Sequence, residues 1–336
     1  MNDTHAGPAR YRREGGVLVT GGAGFLGRAL VAQLLGLGSC RVRVLALPQE
    51  AIPGDWAARV DVVRGDITRS ADVARAIHGC RLVFHLAALV GDAGSDAEHE
   101  RVTVGGTAHV FDLATREGAA VVLTTSICAY GDALQRRVCA EDTPPGRAQG
   151  PYGRAKQGQE ALAWRFRDLG GRVCVVRPAN IVGPGSGPWV MDTAQALRQR
   201  LPALVGGGQG NAALAVVDNV ADFLVLAAQS PDAWGQAYNV HDDLDVTWRQ
   251  YFGDLAALLG APAPRSIPRG LAYLAAHASE PVFRRFLVRR RPPVTREALN
   301  LIAWDSRFPV DKARALGWTP RVDYATVMQR IRDARP

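Results

Sequence analysis

The sequence predicts an α/β fold in which helices cover both faces of a doubly wound parallel sheet. Short apolar runs alternate with helical patterns through the first half of the chain, and a glycine-rich turn joins the first run to the first helical pattern. The composition agrees with a globular protein, because 47% of the 336 residues are hydrophobic and 21% are charged.

The predicted elements follow one another in regular order. Apolar, β-prone runs predict six strands, near residues 17–20, 42–46, 60–64, 82–86, 120–125 and 172–177. Helical patterns predict four helices, near residues 25–36, 70–77, 99–117 and 152–169. After Gly183 the pattern changes to glycine- and proline-rich loops and longer helices. We therefore expect the second half to differ in architecture.

The first turn is typical of a loop that binds phosphates. Glycines at this spacing allow a tight turn, close approach of the backbone to a pyrophosphate, and tight packing of helix on strand. The start of the helix adds unpaired N–H groups and a partial positive charge. Because the loop lies between a strand and a helix, it predicts a dinucleotide site, and a glycine turn without a ligand is the alternative. The residues concerned are Gly21, Gly24, Phe25, Leu26 and Gly27.

A second feature points to catalysis. The chain has only two lysines, and one of them, Lys156, follows Tyr152 by four residues, so that both share one face of the predicted helix. Ser126 follows the apolar run 120–123, and active residues in open α/β sheets cluster at the carboxyl ends of strands. A hydroxyl, a phenol and an ammonium beside a dinucleotide can support hydride transfer. The alternative is that Tyr152 and Lys156 form a surface pair.

Further motifs occur in a fixed order along the chain. They are Thr20–Gly27, Gly65-Asp66, His85–Ala88, Ser126 before Tyr130-Gly131, Tyr152 with Lys156, Arg177–Gly185, Val217–Asp222, Tyr238–Val240 and Asp311–Trp318. In this order they resemble the extended short-chain dehydrogenases/reductases. The resemblance implies a Rossmann domain at 15–181, to which 214–240 returns, and a smaller, interleaved α/β substrate-binding domain at 182–336.

The resemblance also implies roles for individual residues. Tyr152 is the expected general acid/base, Lys156 and the positive nicotinamide ring together favour its phenolate, and Ser126 holds the substrate oxygen. Asp66 is expected to contact the adenine amino group, and its alternative is a turn or helix-cap aspartate. The other expected contacts with NAD or NADP are Ile67, Leu86, Ala87, Ala88, Tyr152, Lys156, Pro178, Ala179, Asn180 and Ile181.

Two positions depart from the family pattern. After the second strand the family places an acid for the ribose of NAD or an arginine for the phosphate of NADP, but this chain has Ala46 and Leu47. The choice between NAD and NADP is therefore open. Thr103 stands where the family usually has an asparagine, which leaves a proton-relay role at that position open as well.

The substrate class is indicated by two regions. Nucleotide-sugar members carry an arginine just before the Val217 motif, whereas 210–217 is apolar. The runs 267–280 and 292–297 resemble the 3β-hydroxysteroid dehydrogenase-like branch. These features favour a relatively apolar alcohol or ketone, which is steroid-like, polyketide-like or acyl. The alternatives are a nucleotide-sugar epimerase/dehydratase with bound NAD and a non-catalytic dinucleotide-binding regulator.

Bulk properties exclude several other classes. The net charge of +8 comes without an aromatic-interleaved basic motif, so we expect no nucleic-acid partner. The five cysteines lack metal-type spacing, and we expect no metal. Residues 1–15 lack the apolar centre of a secretory signal, and no stretch is long enough to span a bilayer, which predicts a cytoplasmic protein.

Two surface features bear on partners. The stretch 284–291 contains five arginines and predicts the solvated face of a helix, with a membrane-surface element or a phosphate site as alternatives. By family habit the predicted helices 99–117 and 152–169 pair with those of a second copy, so we expect a homodimer.

Overall fold

The protein is described from a computed structural model that covers residues 15–38, 41–56, 58–91, 93–135, 138–286 and 294–334. The arginine-rich stretch 284–291 lies outside these residues except for the backbone of 284–286, and Cys40 also lies outside them. In the part described, no helix has both the length and the apolar character needed to cross a membrane.

Eleven strands occur in the described part of the chain. They are β1 (Gly16–Thr20), β2 (Val42–Ala46), β3 (Val60–Arg64), β4 (Cys80–His85), β5 (Ala120–Thr124), β6 (Val173–Pro178), β7 (Asn180–Val182), β8 (Pro202–Val205), β9 (Leu214–Val216), β10 (Ala237–Val240) and β11 (Arg265–Ile267). Seven of them form one parallel sheet in the order β10-β6-β5-β4-β1-β2-β3. Two small parallel pairs, β7 with β9 and β8 with β11, lie outside this sheet.

Twelve α-helices accompany the strands in the same residues. They are α1 (Phe25–Leu37), α2 (Ser70–Ile77), α3 (Asp96–His99), α4 (Gly106–Glu117), α5 (Pro151–Asp168), α6 (Thr193–Arg198), α7 (Val217–Gln229), α8 (Trp248–Leu259), α9 (Arg269–Phe286), α10 (Arg296–Ile302), α11 (Asp311–Ala315) and α12 (Tyr324–Asp333). A π-helical segment, Glu100–Gly105, joins α3 to α4. A 3₁₀ segment, Ile127–Gln135, follows β5.

The sheet is apolar on both faces because its strands are buried between two helical layers. Along β1, Val17 and Val19 face the core shared with α1 and α7, whereas Leu18 faces the core shared with α2, α4 and α5. Continuous apolar runs rather than alternating ones are the sequence signature of this arrangement. The predicted doubly wound parallel sheet is thus confirmed.

The observed elements differ in detail from the sequence-based expectations. β4 begins at Cys80, two residues before the predicted start, and the predicted helix near 99–117 begins at Asp96 and contains the π segment. A π segment has one extra residue per turn, and apolar periodicity alone does not reveal it. Strand β10 pairs with β6, and α7 packs against α1, but the domain boundary at 181–182 stays a prediction.

Candidate active site

The glycine loop leaves the start of α1 open. Gly24 precedes the helix, and no side chain caps its first turn. A Cβ built at Gly24 would meet only the Gly21 carbonyl oxygen, at 3.2 Å, so the space before the helix is clear of side chains. At Gly27 there is no room for a side chain, because a Cβ would lie 2.2 Å from that same oxygen. This cradle fits a dinucleotide pyrophosphate on the unpaired first-turn N–H groups, which include those of Phe25 and Leu26.

The loop after β4 lies directly against the glycine loop. Gly21 has φ +68°, and its Cβ would lie 2.9 Å from the Ala87 nitrogen, so the close approach of the two loops requires glycine. Thr20 ties them together, because its carbonyl accepts from the Leu86 N–H at 3.2 Å and its hydroxyl accepts from the Ala87 N–H at 3.3 Å. The predicted cofactor residues Leu86–Ala88 and Gly21 are therefore neighbours.

Asp66 has the turn role that was its alternative interpretation. Its Oδ1 accepts a hydrogen bond from the Thr68 N–H at 2.8 Å, and its own N–H donates to Asp72 Oδ2 at 2.9 Å. Ile67 is buried and packs into the sheet core. A contact of Asp66 with adenine stays a prediction, since the turn still places the carboxylate after the end of β3.

The segment from Pro178 to Ile181 lies at the carboxyl end of β6. The Ala179 N–H donates to the Val240 carbonyl at 3.0 Å, and the Asn180 side chain donates to the Ala212 carbonyl at 2.7 Å. Asn180 is 4% exposed, so its side chain fixes the backbone of a neighbouring segment. Contacts of these residues with the nicotinamide stay predictions.

Ser126, Tyr152 and Lys156 come together at the carboxyl end of β5. The Ser126 side chain lies near the Tyr152 phenol and acts to lower its pKa. The Lys156 Nζ lies 5.4 Å from the centroid of the Tyr152 ring and donates to the Thr124 carbonyl at 3.3 Å. The geometry agrees with a shared site rather than with a solvated surface pair, because Lys156 is only 3% exposed.

The surroundings shift the pKa values of both α5 residues. Desolvation raises the pKa of the Tyr152 phenol, and the Ser126 side chain opposes this rise only in part. Burial lowers the pKa of Lys156 to about 8, against the opposing effects of the Cys128 thiol and the Glu160 carboxylate. The phenol is protonated at neutral pH, as one with the ordinary pKa of 10.0 would also be, and the expectation that Lys156 and the nicotinamide ring together favour the phenolate stays a prediction.

Glu297 is a site residue that sequence reasoning missed. Its Oε1 accepts from the Gly153 N–H at 2.5 Å, so a carboxylate from α10 caps the first turn of α5, where the Gly150 N-cap has no side chain. Its charge also contributes to raising the pKa of Tyr152. No local spacing could have revealed this contact, since 144 residues separate Glu297 from Gly153.

A buried ion pair holds α5 against the sheet. Arg177 donates to both oxygens of Glu160, at 2.9 and 2.7 Å, and its third contact is the Tyr130 hydroxyl at 2.9 Å. Thr125, next to Ser126, donates to Glu160 at 2.8 Å. The network thus connects the helix carrying Tyr152 to the strand end carrying Ser126.

A carboxylate lies at the end of β2 although the strand itself ends in Ala46. Glu50 folds back so that its Oε2 accepts from the Leu47 N–H at 2.9 Å. Arg64 donates to the carbonyls of Leu47 and Glu50, at 2.8 and 2.7 Å, and fixes this turn. The sequence missed Glu50 because the acid was expected at the strand end itself.

The fold and these loops define a dinucleotide-binding enzyme of the Rossmann type, with its site at the carboxyl edge of a parallel sheet. A model of the NAD dependent epimerase/dehydratase family matches residues 17–240, and the chain belongs to that family. The predicted extended short-chain dehydrogenase/reductase type is confirmed, and the cofactor is a nicotinamide dinucleotide.

Named relatives agree with this assignment. The chain is 30% identical to 2-alkyl-3-oxoalkanoate reductase of Stenotrophomonas maltophilia (strain K279a), over 94% of this chain and 98% of the relative. It is 26% identical to 3beta-hydroxysteroid-dehydrogenase/decarboxylase isoform 1 of Arabidopsis thaliana, over 94% of this chain and 79% of the relative. The structure of UDP-glucose 4-epimerase from Thermotoga maritima matches with a TM-score of 0.75, covering 95% of this chain and 98% of that chain; at 21% identity it supports the fold alone.

Proposed function

We propose that this enzyme is an NAD(P)-dependent oxidoreductase that interconverts a ketone and a secondary alcohol on a relatively apolar small molecule. The observation that carries the proposal is the convergence of Ser126, Tyr152 and Lys156 at the carboxyl end of β5, in the same parallel sheet whose strand β1 leads into the glycine loop. The two named relatives act on a 3-oxoalkanoate and on a 3β-hydroxysteroid, which favours an acyl or steroid-like substrate.

Each of these residues has a separate role in carbonyl reduction. The nicotinamide, when bound, supplies the hydride. Tyr152 donates its phenolic proton to the substrate oxygen, and a phenol carries this proton at neutral pH. Ser126 donates a hydrogen bond to the same oxygen and stabilises its developing negative charge. The Lys156 ammonium stabilises the phenolate that Tyr152 becomes.

A nucleotide-sugar substrate is less favoured by the structure of the apolar segment before α7. Residues 212–216 form a fully buried stretch that includes β9, so they offer packing rather than a diphosphate site. Copurification of a nucleotide sugar with the enzyme would instead favour the nucleotide-sugar alternative.

The test compares wild-type enzyme with Tyr152→Phe. With a 2-alkyl-3-oxoalkanoate and reduced nicotinamide, we expect kcat to fall by about 10² to 10⁴, the range for loss of a positioned acid. The dissociation constant for the reduced cofactor, measured by fluorescence, should stay within a factor of a few. Unchanged turnover would remove Tyr152 from this role, and copurification of a nucleotide sugar would overturn the substrate class.

We also propose that the enzyme works in the cytoplasm as a homodimer. The cysteines of the described segments, at 80, 128, 139 and 174, are buried and form no disulfide, which suits a reducing compartment. The solvent-facing sides of α4 and α5 are the proposed dimer contact. Light scattering coupled to size-exclusion chromatography measures the assembly, and a monomer at micromolar concentration would exclude it.

A further inference from the structure

A chain of buried hydrogen bonds begins at the catalytic lysine. The Lys156 Nζ donates to Gln159 Oε1 at 2.8 Å, and Gln159 Nε2 donates to Thr107 Oγ1 at 2.7 Å. Thr107 Oγ1 lies 2.9 Å from His85 Nε2, and His85 Nδ1 lies 2.7 Å from Thr20 Oγ1. All five side chains are at most 3% exposed.

The direction of every bond in this chain is determined by its partners. Thr107 donates its only proton to the Thr103 carbonyl at 2.6 Å, so it accepts from both Gln159 and His85. His85 therefore carries its proton on Nε2, and its Nδ1 accepts from Thr20. Burial lowers the pKa of His85 to about 3, and the Lys156 charge adds to this effect, so the ring stays neutral.

The chain does not pass protons, because its hydrogen bonds run toward Thr107 from both ends and Thr107 donates its own proton outside the chain, to the Thr103 carbonyl. Its effect is to fix the amide of Gln159, so that the oxygen always faces the ammonium. At the other end, Thr20 precedes Gly21 and accepts from the Ala87 N–H at 3.3 Å. The same chain therefore joins Lys156 to the two loops that form the proposed cofactor cradle.

We propose that Gln159 is a positioning residue for catalysis: held by Thr107 and His85, it orients the Lys156 ammonium relative to Tyr152 and the cofactor loops. The proposal rests on the function proposed above for Lys156. Thr103 does not support Lys156, since its hydroxyl accepts from the Leu89 N–H at 3.1 Å. The support comes from Gln159, on the next turn of α5 after Lys156.

Four other groups near Lys156 also influence its ammonium, in addition to Gln159. Glu160 lies on the same helix and is paired with Arg177. Cys128 lies on the 3₁₀ segment after β5, and His85 faces the lysine from β4 as a neutral ring. Tyr152 completes the set on α5, with Nζ over its ring. The Nζ group lies closer to the Gln159 oxygen, at 2.8 Å, than to the Thr124 carbonyl, at 3.3 Å, so Gln159 provides the stronger hydrogen bond.

The test exploits the fact that the chain has only two lysines. Isotope labelling of lysine gives two side-chain NMR signals, from Lys156 and Lys312, and pH titration of the cofactor-free protein yields both pKa values. We expect Gln159→Leu to lower the pKa of Lys156 by about one unit, because an acceptor for the charged form is lost. Gln159→Glu places a carboxylate against the ammonium and should raise that pKa. Lys312, which contacts Gln236, should not change.

The matched control is Gln157→Leu. Gln157 lies on the same helix and donates to the Ala129 and Gly146 carbonyls, at 2.9 and 2.8 Å, without touching Lys156. This variant should lose thermal stability while the Lys156 titration stays that of wild type. If Gln159→Leu and Gln159→Glu move the Lys156 pKa in the same direction, or neither moves it, the positioning role is wrong.

A second measurement links the contact to the reaction. In wild-type enzyme the basic limb of the pH profile of kcat/KM should follow the Lys156 pKa, and it should shift downward in Gln159→Leu and upward in Gln159→Glu. Shifts in the NMR titration without shifts in the profile would refute the catalytic role. The outcome for Tyr152→Phe is separate, so failure of the proposed function can be told from failure of this inference.

Discussion

Tyr152 and Lys156 show how residue spacing and environment contribute separately to chemistry. The four-residue spacing predicts that both side chains share one helix face, and they lie together beside Ser126. The spacing does not reveal that desolvation raises the pKa of the Tyr152 phenol above its ordinary value. A protonated phenol is the form that can donate a proton to a carbonyl oxygen.

The Glu50 carboxylate should influence the choice of cofactor. It lies at the end of β2, where a negative charge repels a 2′-phosphate. We expect Glu50→Gln to increase the affinity for NADPH relative to NADH by about three- to tenfold, an electrostatic effect of about 1 kcal/mol. Fluorescence titration of both cofactors measures this ratio, and the control is Glu117→Gln, whose carboxylate accepts from the Gly79 N–H just before the amino end of β4. An unchanged ratio would contradict the assignment.

The residues that the sequence did not predict share one property. Glu50, Gln159 and Glu297 act through contacts with a backbone group or with another side chain, rather than through a motif. Glycine spacing and the Tyr–Lys pair are local patterns and can be read directly. Glu297 reaches α5 from another part of the fold, and only the tertiary structure brings the two together.

At the scale of one element, α1 contains two glycines with opposite surroundings. A Cβ at Gly27 would lie 2.2 Å from the Gly21 oxygen and 2.6 Å from Gly22 Cα, both backbone atoms that cannot move independently. A Cβ at Gly36 would meet nothing within 4 Å. The cofactor loop therefore requires a glycine at position 27, whereas position 36 tolerates a side chain.

Alanine substitutions should separate these two roles. We expect Gly27→Ala to weaken dinucleotide binding at least tenfold, because the turn must open to admit the methyl group. Gly36→Ala should leave binding unchanged and stabilise the protein by about 0.5 to 1 kcal/mol, since alanine favours a helix. Cofactor titration and thermal unfolding measure the two effects. Equal binding by both variants would be inconsistent with the close packing described for Gly27.

The π segment between α3 and α4 shows the limit of prediction for elements. The apolar pattern near 99–117 correctly predicts a helix, but the extra residue changes which face carries Thr103. The Thr103 hydroxyl consequently accepts a hydrogen bond from the Leu89 N–H, and the Thr107 hydroxyl accepts hydrogen bonds from the Gln159 and His85 side chains. Strand and helix types were predictable from periodicity, whereas this shift depends on local hydrogen bonding that the pattern does not encode.

Across the whole molecule, Asn219 joins distant parts of the chain. It donates to Asp242 Oδ2 at 3.0 Å and to the Val322 carbonyl at 2.8 Å, and it accepts from the N–H groups of Arg321 and Val322, both at 2.9 Å. Both it and Asp242 are buried. Burial raises the pKa of Asp242 to about 7, against the opposing hydrogen bonds from Val216 and Asn219.

This carboxyl makes stability depend on pH. The folded-state pKa lies above the ordinary value of 3.8, so the folded form binds the proton more tightly and the stabilisation declines as the pH rises through about 7. We expect Asp242→Asn, which resembles the protonated acid, to gain about 1 to 3 kcal/mol relative to wild type between pH 5 and pH 8. Chemical unfolding at both pH values measures it. Asp243→Asn, at an exposed neighbour, controls for net charge, and a parallel pH dependence in both variants would exclude Asp242.

Strand β6 receives its outer neighbour late in synthesis. On one side β6 pairs with β5, and on the other it pairs with β10. About sixty residues separate Pro178, at the end of β6, from Ala237, at the start of β10. The ribosome must add all of these residues before β10 can pair with β6. Until then β6 has an unpaired edge that can associate with other nascent chains. Chaperone demand during translation should therefore peak while the segment between these two strands is emerging.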